Sequence, residues 1–415
     1  MAEILYLAHR LPWPPNKGDK IRSYHILRHL AERHAVHLGT FVDDPADWAH
    51  LPALREQCAS VCARPLPRRR AGLRALSGLL RGEALTLGWY RDPGLRRWVR
   101  RTLERRPVEA ALAFSSSMGQ YLPGRRRGLR RVVDFVDVDS DKWRQFAAQR
   151  GGPMRAVYRR EARRLLAYER RLAAGSDASL FVSPQEAGLF RRLAPESAGR
   201  IAAMGNGVDT AYFDPERAGA SPYPPGERPV VLTGAMDYWP NVDAACWFAE
   251  AVLPRIRRRD PRVRFYVVGN RPAPAVRKLA EQEGVAVTGF VEDVRPWIAH
   301  ADVAVAPLRI ARGVQNKVLE ALALARPVVA TPQALEGLSA RPGEDLLHAP
   351  AEGEAFAAAV ARLLAAPAPE LGAAGRRRVL ADYSWARSLA RLDAALEPEA
   401  APVVPGVAVE GSHGG

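Results

Sequence analysis

Short apolar runs alternate with longer amphipathic stretches along the whole chain. Residues 4–8, 36–41, 110–114, 132–135 and 179–182 are runs of four to six mostly apolar residues. Two of them, 110–114 and 179–182, are closed by a serine, and all are too short for a helix and right for buried strands. Between them lie stretches with helical periodicity, the first over 21–33 after the Pro/Gly loop 12–18. The stretch 218–229 is rich in Pro, Gly and Ser and predicts a linker. The pattern then restarts, with strands predicted at 230–233, 265–268, 285–287, 302–306 and 327–330. Helices are predicted at 243–257, 274–281, 314–323, 354–365, 371–381 and 384–396. Strand–helix alternation predicts parallel sheets covered on both faces. The fold class is therefore α/β, with two doubly wound halves of similar size. Ligands of such sheets sit at the carboxyl ends of strands, so a two-lobed chain binds in the cleft between lobes.

Composition narrows this picture. The 415 residues exceed what one core accommodates. Hydrophobic residues at 47% and charged residues at 26% exclude a disordered or fibrous chain. Three cysteines, Cys58, Cys62 and Cys246, are too few and odd for a disulfide framework. Cys58 and Cys62 are spaced by one helical turn and read as two reduced thiols. No apolar run reaches the roughly eighteen residues of a membrane span. The opening MAEILYLAHRLPWPP lacks the pattern of a signal peptide. The expected location is cytoplasmic, with peripheral contact to the inner face of the membrane left open.

The net charge of +16 is the unusual number, and only five of the 61 bases are lysines. Residues 1–209 carry 38 Lys+Arg against 21 Asp+Glu, so the excess belongs to the first half. Such a lobe suits an anionic partner, or it carries a solvated basic coat. The segment 154–174 sets Val157, Leu165 and Leu172 among many arginines. It predicts a core-packing helix with a charged outer face, or, as the second choice, a helix lying on anionic lipid.

Candidate chemistry concentrates in PLRIARGVQNKVLEALALARPVVAT, residues 307–331. It reads as strand end, glycine loop, helix and buried strand. Gly313 lets backbone approach a ligand closely. Unpaired N–H groups at the following helix start suit a phosphate. Arg309, Arg312 and Lys317 add charge at the same point, and Glu320 can accept the two hydroxyls of a ribose. A surface helix with an i, i+3 Lys–Glu pair is the plain alternative.

The order of motifs resembles glycosyltransferase family 4, of the two-domain GT-B type, over residues 1–396. The carrying strings are PPNKGDKIRSYHIL, DFVDVDSDKW, GNGVDTAYFDP, LTGAMDYWPNVDAACWFAEAVLP, VVGN, VTGFVEDVRPW and the 307–331 segment, with a late YSW. The closest subgroup in pattern is the sugar transferases of PEP-CTERM/exosortase exopolysaccharide systems. The resemblance implies a retaining glycosyltransferase, a hexosyltransferase in type. It would move sugar from a nucleotide-sugar donor to a glycan or lipid-linked acceptor. It implies two Rossmann-like domains, at 1–217 on the acceptor side and 226–382 on the donor side. A helix at 383–397 would cross back to the first domain, followed by a disordered tail at 398–415. Glu320 matches the family's ribose-binding glutamate. The backbone of Gly313, Val314, Gln315 and Asn316 would face the sugar diphosphate, and Gly289, Phe290 and Val291 match the base-binding turn. Gly18 matches the glycine loop of the first domain, flanked by Lys17, Asp19, Lys20 and Arg22. These flanking charges are read either as donor-facing or as solvated.

Three departures stand out. Arg312 occupies the place of the family's second glutamate. Ser115, Ser116 and Ser117 stand where a first-domain histidine is usual, and His9 reads as structural. The basic residue that usually follows the glycine of the first strand in the donor domain is absent, so Arg309 and Lys317 are expected to neutralise the diphosphate. Asp137, Asp139 and Asp141 imitate a DxD metal motif but read as loop or acceptor-facing residues, with no metal or other cofactor expected. A nucleic-acid-binding protein, suggested by charge, lacks zinc-finger or RNP-like motifs and interleaved aromatics, so no nucleic-acid partner is expected. A nucleotide-sugar epimerase on the same fold is the remaining alternative.

Overall fold

The computed structural model describes residues 1–15, 18–149, 151–311 and 314–397. The tail expectation at 398–415 lies outside the described residues. Two parallel sheets form the frame. The first holds β1 (Glu3–Ala8), β2 (Ala35–Val42), β3 (Ser60–Pro65), β4 (Val108–Phe114), β5 (Arg130–Val136), β6 (Ala178–Phe181) and β7 (Ile201–Ala203), in the order β3-β2-β1-β4-β5-β6-β7. The second holds β8 (Arg228–Thr233), β9 (Val263–Val268), β10 (Val285–Gly289), β11 (Val303–Ala306), β12 (Val328–Ala330) and β13 (Leu347–His348), in the order β10-β9-β8-β11-β12-β13. Every pairing within both sheets is parallel. In each sheet the chain order reverses beside the first strand, between β1 and β4 and between β8 and β11. Those two points are where a doubly wound sheet opens a crevice for a ligand.

The central strands bury both faces, as their unbroken apolar runs require. Two cores flank the first sheet and one large core encloses the second. Three strands escaped the apolar pattern. β3 is an edge strand of half-exposed residues, while β7 and β13 have three and two residues. Cys58 and Cys62 do not share a helix: Cys58 ends the helix Leu51–Gln57 and Cys62 lies in β3. The helix expected over 243–257 starts earlier, at Trp239, and passes through a π-helical turn at Phe248–Val252.

The helix Trp385–Leu396 returns to the first lobe, where Trp385, Leu389 and Leu392 join its core. Trp385 stacks on His25 with ring centroids 4.3 Å apart. The crossing is fixed where the Val208 N–H donates to the Tyr383 carbonyl at 2.7 Å. Gly207 lies so close to Trp385 that a Cβ there would come within 2.6 Å of it.

Two of the charges beside Gly18 are neither solvated nor donor-facing. Lys20 is buried against Asp47 at 2.6 Å. Arg22 is buried and grips Asp134 on β5 with two bonds, 2.7 and 3.1 Å, and donates a third to Asn206 in the segment leading to the second lobe. The guanidinium fork thereby ties the first helix, Gly18–Ala31, to the central sheet and to the interlobe segment. The helix Gly152–Ala174 buries Leu165 and Leu172, so its apolar side serves the core and not a lipid surface.

Removing one partner of the Arg22–Asp134 pair leaves a buried charge uncompensated. Arg22→Met should destabilise the first lobe by about 3–5 kcal/mol, and Arg22→Met/Asp134→Leu should recover most of that loss. Urea unfolding followed by tryptophan fluorescence measures both. Equal stability of Arg22→Met and the native chain would contradict the structural role.

Candidate functional site

The carboxyl ends of β8, β9 and β11 meet at the switch point of the second sheet. Gly269, at φ +158°, packs against Gly234, and a Cβ there would fall 1.7 Å from the Gly234 carbonyl oxygen. The loops after β8 and β9 can therefore approach only through glycine. Gly234 in turn lies against Asn241 and Lys317: a Cβ built on it would stand 2.7 Å from Asn241 Nδ2 and 3.5 Å from Lys317 Cε.

Lys317 lies in the first turn of the helix Asn316–Ala323, which follows β11. Its ammonium donates to Asn241 Oδ1 at 3.0 Å and reaches Gln315 Oε1 at 3.5 Å. Asn241 Nδ2 donates to the Ala235 carbonyl at 2.9 Å, so one amide fastens the β8 loop to the lysine. Burial pushes the Lys317 ammonium down to about 8, against a small upward pull from Glu320. One helical turn on, burial pushes the Glu320 carboxyl up to about 7, and Lys317 opposes that rise only in part. No hydrogen bond to the Glu320 carboxyl forms among the described residues. Asn316 adds a buried, unpartnered Oδ1 at the same helix start. Near neutral pH this helix start thus holds an ammonium, a half-ionised carboxyl and an unpartnered amide oxygen.

The other expected residues distribute as follows. Arg309 follows β11, but its guanidinium pairs in fork geometry with Asp243 of the helix Trp239–Trp247, a surface pair beside the cleft. Gly289 ends β10 at φ +71° and its carbonyl accepts from the Gly269 N–H at 3.1 Å. Phe290 behind it is exposed, while Val291 packs on the second core. Val314 is half-buried on that core and lies 3.9 Å from the position of a Gly337 Cβ. Gly18 opens the first helix with no atom within 4 Å of a Cβ position. Lys17, Arg312 and Gly313 lie outside the described residues.

Sequence reasoning missed Asn241. Its only signal was the missing basic residue in the β8 loop, which left a space that Lys317 enters from the neighbouring helix.

A cavity of about 530 Å³ opens between the lobes. The first lobe lines it with Gln145, Gln185 and Arg192, the second with Arg309, Gln333 and Glu336. The side chains of Gln185, Gln333 and Glu336 form no hydrogen bonds among the described residues. Nearby, the three acids of the DxD-like segment are already engaged. Lys142 bonds Asp137 at 2.7 Å and Asp139 at 3.3 Å, and Arg144 and Gln145 hold Asp141. His9 stacks on Phe114 at 5.6 Å and sits 3.4 Å from Asp19. Burial alone would raise the Asp19 carboxyl, but His9 and Arg10 outweigh it and hold that group well below the usual range.

Residues 227–366 match the family model described as glycosyl transferases group 1. No curated protein has a matching sequence. Among solved structures, the sucrose-phosphate synthase of Thermosynechococcus elongatus superposes with a TM-score of 0.66 at 18% identity, covering 95% of this chain and 98% of that one. HepE of Anabaena, solved with UDP, gives 0.65 at 13% identity, with coverage of 95% and 99%. WaaG, a glycosyltransferase of lipopolysaccharide biosynthesis, gives 0.60 at 17%, with coverage of 94% and 99%. These likenesses establish the two-lobed GT-B architecture. With the family match over the second lobe, the chain is a glycosyltransferase.

The Glu320 carboxyl should titrate near 7, and Lys317→Met should raise its midpoint further, since the ammonium is the group opposing protonation. Carboxyl ¹³C NMR of glutamate-labelled protein, assigned with Glu320→Gln, reads both. A midpoint in the ordinary carboxylate range would contradict the burial described.

Proposed function

We propose that the chain is a retaining glycosyltransferase that takes sugar from a nucleoside-diphosphate sugar bound to its second lobe. The acceptor is a glycan or lipid-linked glycan of exopolysaccharide synthesis, at the cytoplasmic face of the membrane. The observation that carries the donor assignment is the pairing of Lys317, drawn under Gly234 by Asn241, with an unbonded Glu320 one turn along the same helix. A diphosphate needs a fixed cation and helix N–H groups, and a ribose needs a carboxylate acceptor. Both lie at the switch point between β8 and β11, where the fold opens its crevice.

Transfer breaks the bond between the anomeric carbon and the diphosphate, so negative charge grows on the leaving group as the sugar becomes oxocarbenium-like. In a cleft poor in water, Lys317 and the backbone around 314–316 would stabilise that charge without reorganising. The retaining course follows from the family resemblance: the acceptor hydroxyl attacks from the face the diphosphate leaves, passing its proton to a phosphate oxygen. Lobe closure would exclude water, whose attack on the donor is the competing reaction. The free amides and carboxyl of Gln185, Gln333 and Glu336 suit sugar hydroxyls from either substrate. UDP bound in HepE supports a uridine nucleotide as the first donor to test.

Glu320→Ala and Lys317→Ala should each lower transfer at least about a hundredfold while leaving the unfolding transition in place. A screen of UDP-, GDP- and dTDP-sugars, read as transfer or slow donor hydrolysis, supplies the assay. Wild-type turnover in either folded variant would remove the site assignment. For the native enzyme kcat/KM should be bell-shaped. Its acid limb near 7 follows protonation of Glu320, and its alkaline limb near 8 follows deprotonation of Lys317. Glu320→Gln should abolish the acid limb.

A further inference from the structure

Two large aromatic side chains stand in water beside the second-lobe site. Tyr238 and Trp239 are 56% and 58% exposed. Among the described residues neither ring packs on another aromatic, and neither polar tip forms a hydrogen bond. Exposed apolar surface edged by polar groups marks a place where a ligand lands. The backbone beneath the rings is fixed. The Tyr238 N–H donates to the Ala235 carbonyl at 3.2 Å, and the Tyr238 carbonyl accepts from the N–H groups of Asn241 and Val242 at 2.9 and 3.1 Å. Met236 is tied to the segment after β9: its N–H donates to the Asn270 carbonyl at 3.0 Å, and its carbonyl accepts from Ala273 at 2.9 Å. The rings therefore sit on a rigid turn, which ends at the Asn241 amide that holds Lys317.

The bases at the edges of this turn are matched by acids. Arg271 pairs with Asp237 at 3.2 Å. Arg309 holds Asp243 in its fork, and Asp243 lies four residues after Trp239, on the same face of the helix Trp239–Trp247. Arg309 and the half-exposed Ile310 also line the interlobe cavity. The aromatic pair, the fork and the cavity wall thus follow one another in space. This is the chemistry of a carbohydrate surface. The C–H face of a sugar ring is apolar and packs flat on an aromatic ring, while its hydroxyls both donate and accept. A guanidinium and a carboxylate held side by side offer partners of both kinds. An anionic ligand would find no uncompensated positive charge at the ring edges.

We infer that Tyr238 and Trp239 form a stacking platform for a sugar ring of the acceptor other than the one that reacts. The acceptor is then an oligosaccharide and not a single sugar. The helix rises about 6 Å from Trp239 to Asp243, on the order of one sugar unit. A ring packed on the aromatic pair turns its hydroxyls to Asp243 and Arg309, and the glycan continues into the interlobe cavity. This assignment rests on the glycan acceptor proposed above, but its test needs neither donor nor turnover.

The test is binding of three uncharged tetrasaccharides, cellotetraose, maltotetraose and chitotetraose, to the full chain. The indole N–H signal of Trp239 in ¹⁵N-tryptophan-labelled protein, assigned with Trp239→Tyr, reports contact. At least one tetrasaccharide should shift that signal and bind at least about tenfold more tightly than its own monosaccharide. Tyr238→Ala/Trp239→Ala should bind it at least about tenfold more weakly by calorimetry, whereas Trp239→Tyr, which keeps a ring, should retain most of the affinity. Both side chains are exposed, so the unfolding midpoint of the double variant should match the native chain. The platform is overturned if no tetrasaccharide shifts the Trp239 signal, or if the folded double variant binds as the native chain does. A shift caused by UDP and by no tetrasaccharide would give the rings to the donor instead. Self-association that the double variant abolishes, without glycan binding, would give them to a second copy. Failure of the donor site is read separately, as wild-type turnover in Lys317→Ala.

Discussion

Lys317 and Glu320 share one helical turn, are both poorly solvated, and do not bond to each other. Burial pushes each toward its neutral form, and only their mutual field opposes that drift. Such a pair is costly to an empty protein, because neither charge has its full set of partners. The surrounding structure is arranged to hold it. Two glycines let the β8 and β9 loops close over each other, and Asn241 pins the first of those loops to the ammonium. The 3-2-1-4-5-6 strand order of the second sheet puts β8 beside β11, which brings this loop against the helix that bears both residues. On the proposed reading, a nucleotide diphosphate supplies the missing anion and its ribose the missing donors.

The first lobe follows a different electrostatic plan. Its surplus of arginine suggested an anionic ligand along the whole lobe, yet the strand ends facing the cleft are rich in acids. Asp19, Asp43, Asp137, Asp139 and Asp141 all lie there, each paired with a base from the same region. Others of the basic residues are structural. Arg22 and Lys20 are buried in pairs that fix the first helix, and Arg130 bonds the carbonyl of Ala395 on the crossover helix. The uncompensated charge collects on the outer helices, where exposed leucine, phenylalanine and methionine accompany it. A net charge counted along the sequence could not separate these three populations.

How much was legible in the sequence follows the same division. Both sheets could be read from apolar runs because their central strands are buried on both faces, and the crossover helix from its apolar spacing after Tyr383. β3, β7 and β13 could not, because edge strands with half-exposed or very few residues leave no periodic signal. Of the candidate constellation, Lys317 and Glu320 could be singled out because helical spacing places both near one helix start. The fork between Arg309 and Asp243 was not, since the partners are 66 residues apart and meet only through sheet order. Asn241 and Arg22 share that difficulty: the meaning of each lies in a distant partner, Lys317 in one case and Asp134 in the other.

The central claim, that a nucleotide docks on Lys317 and Glu320, has a direct thermodynamic signature. With its carboxyl at about 7, Glu320 is roughly half protonated near neutral pH, and ribose hydroxyls favour its ionised form. Binding of UDP, GDP or dTDP, measured by calorimetry in buffers of different ionisation enthalpy, should therefore release about half a proton more from the native protein than from Glu320→Gln. That difference should shrink as pH rises above 8. Equal proton release from the two proteins, with tight nucleotide binding in both, would contradict the account and move the ribose away from this helix.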